Sequence, residues 1–154
     1  MSVAEHHRSR PERDGTWYNV AMAETEIVAT PLFAGISAAS AATVAAAGVT
    51  EVPAGQVLAQ AGDHGRGMFV VLDGSVVVER GDLHIEMGSG DFFGELALLV
   101  PDSPRIARVR ALTDSRVVAV PRETFDHLLE TEPSFARALL RVLAARLVEA
   151  RTGH

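Results

Sequence analysis

The stretch Gly90-Asp91-Phe92-Phe93-Gly94-Glu95-Leu96-Ala97-Leu98-Leu99, followed by Pro104-Arg105-Ile106-Ala107-Arg108-Val109-Arg110-Ala111, holds the residue types that can grip a small polar ligand. A glycine turn delivers Glu95 into a short apolar helix, and Arg105 returns ten residues later on a strand. A carboxylate accepts a hydroxyl proton in a charge-assisted bond. An arginine fork matches two phosphate oxygens better than a lysine does. Gly94 has no Cβ, so the backbone there can approach a ligand closely. The chemistry is recognition of a sugar hydroxyl and a phosphate. Catalysis would need more than the stretch holds. Asp91 follows Gly90 in a turn and bonds its own backbone more readily than a substrate. No nucleophile–base pair or metal-ligand spacing accompanies Asp91 and Glu95, so an enzyme is not expected.

Composition narrows the setting. At 154 residues and 47% apolar, the chain is long enough for one domain with a substantial core. A net charge of −6 argues against a nucleic acid held on a broad basic face, but not against one small anion in a local cationic pocket. With no cysteine, disulfides, thiolate metal sites and a cysteine nucleophile are excluded. His6 and His7 are adjacent and lack a third ligand at useful spacing, while His64 and His84 cannot supply the ligand set of a metal-binding cupin roll. No metal is expected. The first eight residues lack the apolar run of a signal peptide, and no stretch has the 18 or so apolar residues of a membrane span. The expected location is cytoplasmic, without a membrane partner.

The elements that must position Glu95 and Arg105 follow from periodicity and punctuation. Residues 1–23 read as a disordered polar tail, with Trp17 and Tyr18 exposed in it, and 24–150 as a single domain. Ser37 caps a helix over 38–47 that stops at Gly48. From 49 to 120 short β-branched runs alternate with glycine turns such as Asp73-Gly74 and Gly81-Asp82, the pattern of a sandwich or jelly roll. Pro121 opens a helix over 121–131, and a second helix spans 134–150. On this last helix Phe135, Leu139, Val142 and Arg146 form one stripe, and Leu140, Leu143, Leu147 and Val148 a neighbouring one. The arc is too wide for a single seam, so part of it can cover the roll while the rest needs a partner or a ligand.

Gly90, Asp91, Phe93, Gly94, Glu95, Leu96 and Leu98, then Arg105, Ala107, Val109 and Ala111, together with Pro53-x-Gly55 and Leu72-x-Gly74, resemble the cyclic nucleotide-binding domain family. That family includes the catabolite activator protein and the regulatory subunits of protein kinase A. The resemblance covers about residues 30–150 and implies a mainly β fold, a double-stranded β-helix (jelly roll) with flanking and C-terminal helices. It implies a ligand-binding set of Phe93, Gly94, Glu95, Leu96, Ala97, Arg105, Ile106 and Ala107, with Glu95 on the ribose 2′-hydroxyl and Arg105 on the cyclic phosphate. His84, Arg137 and Arg141 are the residues that would contact the base. Ile106 departs from the Ala or Ser usual in binders and the Thr of many cyclic GMP sites. It offers guanine no hydroxyl, so cyclic AMP is expected before cyclic GMP. Arg108 either points outward or adds a second cation.

By the same resemblance the protein would be a receptor or regulatory module that passes a conformational signal to a partner chain or a second copy. A homodimer along the last helix, with Leu143 and Leu147 in the seam, or an effector protein would receive it. That helix ends four residues before the sequence does, where the catabolite activator protein continues into a helix-turn-helix, so no nucleic-acid partner is expected. The alternative is a degenerate domain of the same fold that acts as a protein-interaction module without ligand.

Overall fold

The computed structural model of the chain describes residues 16–59, 67–101 and 107–152. In chain order these form α1 (Thr16–Ala29), α2 (Ala38–Ala47), β1 (Val49–Val52), β2 (Val57–Ala59), β3 (Gly67–Asp73), β4 (Ser75–Arg80), β5 (Leu83–Gly88), β6 (Phe92–Phe93), the short α3 (Glu95–Leu99), β7 (Arg108–Ala111), β8 (Ser115–Pro121), α4 (Arg122–Thr131) and α5 (Pro133–Thr152). The strands make two four-stranded antiparallel sheets, β1-β8-β3-β6 and β2-β7-β4-β5. Non-consecutive strands are neighbours in both, which is the expected jelly roll.

The two sheets bury their side chains differently. Met68, Val70 and Leu72 of β3 join Val118 and Val120 of β8 in a core shared with the helices. Val71, one residue out of phase, joins Val52, Val76, Val109 and Val117 in a second core. Successive side chains of a strand point to opposite faces, so a strand buried on both faces reads as the continuous apolar run 68–72. At the edge of the other sheet, Leu83, His84, Ile85 and Glu86 of β5 are all exposed. Gly74 joins β3 to β4 with φ +100°, and a Cβ there would lie 2.7 Å from the Ser115 Cα, so geometry and space both require glycine.

The helices are tied to one another by aromatic packing and a polar knot. Phe135, at the start of α5, stacks on Phe33 at 5.8 Å and meets Phe125 of α4 edge-on at 5.8 Å. Ser37 caps α2 by accepting from the Ser40 N–H. Glu132, between α4 and α5, accepts from the Ser37 N–H at 3.1 Å, the Ser37 hydroxyl at 2.8 Å and the Ser40 hydroxyl at 2.5 Å. The hydroxyls of Ser40 and Ser37 hold its carboxyl below the ordinary range.

Several boundaries differ from those expected. Helix α1 occupies 16–29, where a polar tail was expected to run to residue 23. Its local signal is weak, with no acidic residue in the first turn and no basic one in the last. Tertiary contacts hold it instead: Ala23 and Ile27 are fully buried, and Glu26 pairs with Arg116 of β8 at 2.7 Å. Pro121 still pairs with Gly67 as the last residue of β8, so it is the cap of α4 and not its first turn. Pro133 takes the first-turn role in α5, where a missing N–H costs nothing.

Candidate functional site

A cleft of about 290 Å³ opens between β4, β5, the β6–α3 turn and α5. Its size is near the lower end for small-molecule sites. One wall is apolar, formed by Val78, Leu83, Ile85 and Met87; these side chains share a face because β5 alternates. The opposite wall is the turn into α3. Gly94 has φ +94°, a left-handed conformation that lets β6 stop and α3 begin within one residue. That turn aims Glu95 inward, only 3% exposed in an otherwise largely apolar cavity. Arg122 of α4 steadies α3 from its other end by donating to the Ala97 and Leu98 carbonyls at 3.3 and 3.4 Å.

A buried carboxylate without a counter-charge is costly. Here the cation comes from α5. Arg146 Nη1 lies 3.4 Å from Glu95 Oε1, and Nη2 donates to the Phe92 carbonyl at 2.8 Å. The guanidinium also sits 4.7 Å above the centroid of the Phe92 ring, within cation–π range.

Six residues of the expected set, Phe93, Gly94, Glu95, Leu96, Ala97 and Ala107, line this cleft together. Arg105 and Ile106 lie outside the described residues. His84 corrects an expectation: it pairs with Glu79 on the outer face of the sheet, whereas its neighbours Leu83 and Ile85 face the cleft. Strand alternation therefore turns it away from this cleft. Arg137 and Arg141 are not brought to the cleft either. Arg137 is exposed and does not line the cleft, and Arg141 borders a separate cleft with Pro31, Asp91 and Val142. The arginine of α5 that lines the cleft is Arg146. The sequence puts Arg146 on the stripe of Phe135, Leu139 and Val142, but which group it meets there is set by the packing of α5.

Arg108 points outward. It and Arg110 clamp Glu79 at 3.0 and 3.2 Å and hold its carboxyl below the ordinary range, Arg110 contributing more. Asp91 accepts from the Gly88 N–H at 2.9 Å and shapes the turn. No group of three histidines, aspartates or glutamates gathers among the described residues. No described helix is long and apolar enough to cross a membrane.

Comparison with known proteins gives the same reading. The family model for the cyclic nucleotide-binding domain matches residues 49–132, more than half of the chain. A cyclic nucleotide-gated potassium channel of Rhizobium etli is 36% identical over 121 residues, which covers 78% of this chain and 34% of the channel. The chain thus spans about a third of that relative, and 17% of the mycobacterial proteins that it also matches. A structure described under a cyclic-GMP-dependent signalling pathway that regulates bacterial phytopathogenesis is 33% identical with a TM-score of 0.63, covering 74% of this chain and 95% of that one. The regulatory domain of Toxoplasma gondii protein kinase A, crystallised with cyclic AMP, is 26% identical with a TM-score of 0.69, covering 86% and 52%. Both the jelly roll and the family match place this chain in the cyclic nucleotide-binding domain family.

Proposed function

We propose that this chain is a cyclic AMP receptor module, not an enzyme, that passes a conformational signal to a second copy or a partner protein. In this reading Glu95 accepts the ribose 2′-hydroxyl, Arg105 and the Ile106 N–H meet the cyclic phosphate, and the adenine lies along Val78, Ile85 and Met87. The observation that carries it is a carboxylate 3% exposed in an apolar cleft, placed by a left-handed glycine. The cyclic AMP bound to the Toxoplasma relative supports the choice of ligand. Among the described lining residues none is Ser or Thr, so none offers guanine a hydroxyl.

Signal output runs through α5 in this reading. Leu140, Leu147 and Val148 are 66%, 60% and 60% exposed on one side of it, an apolar strip suited to a two-fold contact. Leu143, which the sequence placed in such a seam, is instead partly buried against the helix-covered core.

Calorimetric titration with cyclic AMP and cyclic GMP tests the proposal. Binding of cyclic AMP, with cyclic GMP weaker, is the expected result. A wild type with no heat and no thermal shift at millimolar cyclic AMP overturns it and leaves a ligand-free interaction module.

A further inference from the structure

We infer that Arg80 is the residue on which the outer ring of a bound purine stacks, so that the cleft holds its ligand by a planar cation at its exposed end as well as by the buried side chain of Glu95. The inference deepens the receptor reading above and rests on it. Arg80 lines the cleft, as do Val78 of β4 and Leu83, Ile85 and Met87 of β5. Strand alternation puts Val78 and Arg80 on the cleft face and turns Glu79 to the outer face, where Arg108 and Arg110 hold it. The register builds this wall in rungs: Val76 opposite Met87, Val78 opposite Ile85, and Arg80 opposite Leu83 at the hairpin tip.

Two observations single out the outer rung. The first is charge. Arg80 and Arg146 are the cations among the described lining residues. Arg146 lies 3.4 Å from Glu95, whereas Arg80 is exposed and has no ion pair or side-chain hydrogen bond among the described residues. No such contact of Arg80 serves the fold. The second is apolar exposure. Leu83 and Ile85, on the same wall, are 51% and 45% exposed, large side chains that a flat apolar surface can cover. Successive rungs are about 6.5 Å apart, two residues along a strand. A bicyclic base seated on Val78 and Ile85 therefore extends to Arg80. Because Arg80 rises from the same wall, it meets the face of that base and not its edge. A guanidinium plane stacks on an aromatic face, while an ammonium has no plane to offer.

Calorimetry with cyclic AMP on wild type, Arg80→Ala, Arg80→Lys and Arg80→Tyr tests this, with thermal melting of the ligand-free proteins as the check on folding. Arg80→Ala should weaken cyclic AMP about two- to fivefold, the range of an exposed cation–π contact. Arg80→Tyr keeps a plane without a charge and should recover most of the affinity; Arg80→Trp carries the comparison should the Tyr variant not fold. Arg80→Lys keeps the charge without the plane and should recover little. Recovery by Lys as large as that by Tyr would make Arg80 an attractor of the ligand's charge and overturn the stacking role. Absence of recovery by Tyr, or an Ala variant that binds as tightly as wild type, overturns it too. Each of these results leaves the receptor reading intact, because the wild type binds. A wild type that binds no cyclic AMP overturns the receptor reading, and this role with it.

Discussion

The two halves of α5 belong to different environments. In the first, Phe135 is fully buried and Leu139 nearly so, locked against Phe33 and Phe125. In the second, Leu147 and Val148 are mostly exposed, and the described polar tie to the roll is Arg146. One helix thus has an end fixed by close packing and an end held by a charged side chain in the cleft. Close packing is not adjustable, because dense interiors tolerate few alternative arrangements. A part-exposed ion pair is adjustable, because its strength depends on what else the carboxylate binds. On the receptor reading proposed above, a ligand would bias the second half of α5 without disturbing the first.

Breaking the fixed end should have the largest effect. Phe135→Ala should cost about 3–5 kcal/mol of stability, while Leu140→Ala, five residues on, should change it by less than about 0.5 kcal/mol. Urea denaturation of both variants checks this, and similar costs at the two sites would erase the contrast. Next in size is the cleft. Arg105→Ala should weaken cyclic AMP at least about tenfold, or 1.5–3 kcal/mol for a bond to a charged group, with the melting temperature of the ligand-free protein unchanged. Calorimetry and melting together test it, and a lowered melting temperature would assign Arg105 to the fold.

Glu132 sharpens the comparison at the root of α5. Its carboxyl is held below the ordinary carboxylate range by the hydroxyls of Ser40 and Ser37. A depressed carboxyl stabilises the fold above its unfolded value and loses that contribution as pH falls through the folded one. Glu132→Gln should therefore melt lower than wild type at neutral pH, and the gap should close as the pH drops below 4.5. Melting curves over that range decide it; a gap constant with pH would mean that the charge is not involved. The smallest stability effect is expected at the exposed end. Leu140→Glu with Leu147→Glu should convert a wild-type dimer to a folded monomer by light scattering, because like charges would meet at the two-fold. A wild type that is monomeric at high concentration would assign the strip to a different partner.

Some of this was legible in the residues. Ser37 before an alanine run and Gly48 after it carry a helix's start and stop in local chemistry, since capping needs only neighbouring backbone groups. The β-branched runs between glycines, and the Gly94-Glu95 pair, likewise announce strands and a carboxylate at a turn. Helix α1 was not legible, because its reasons lie in Arg116 and the core, far along the chain. His84 failed for a related reason: a strand's alternation is visible in sequence, but which face meets the cleft is decided by the sheet it joins.

By itself the sequence determined the jelly roll with its capped and flanking helices, and the glycine turn that introduces Glu95. Each depends on local backbone preference and apolar periodicity, which adjacent residues suffice to specify. Only the tertiary structure decided which arginine of α5 faces Glu95. Arg137, Arg141 and Arg146 are chemically alike and all lie on one helix. The choice among them is made by the rotation of α5 about its axis, and that rotation is set by Phe135 and Leu139 settling against residues about a hundred positions earlier, such as Phe33.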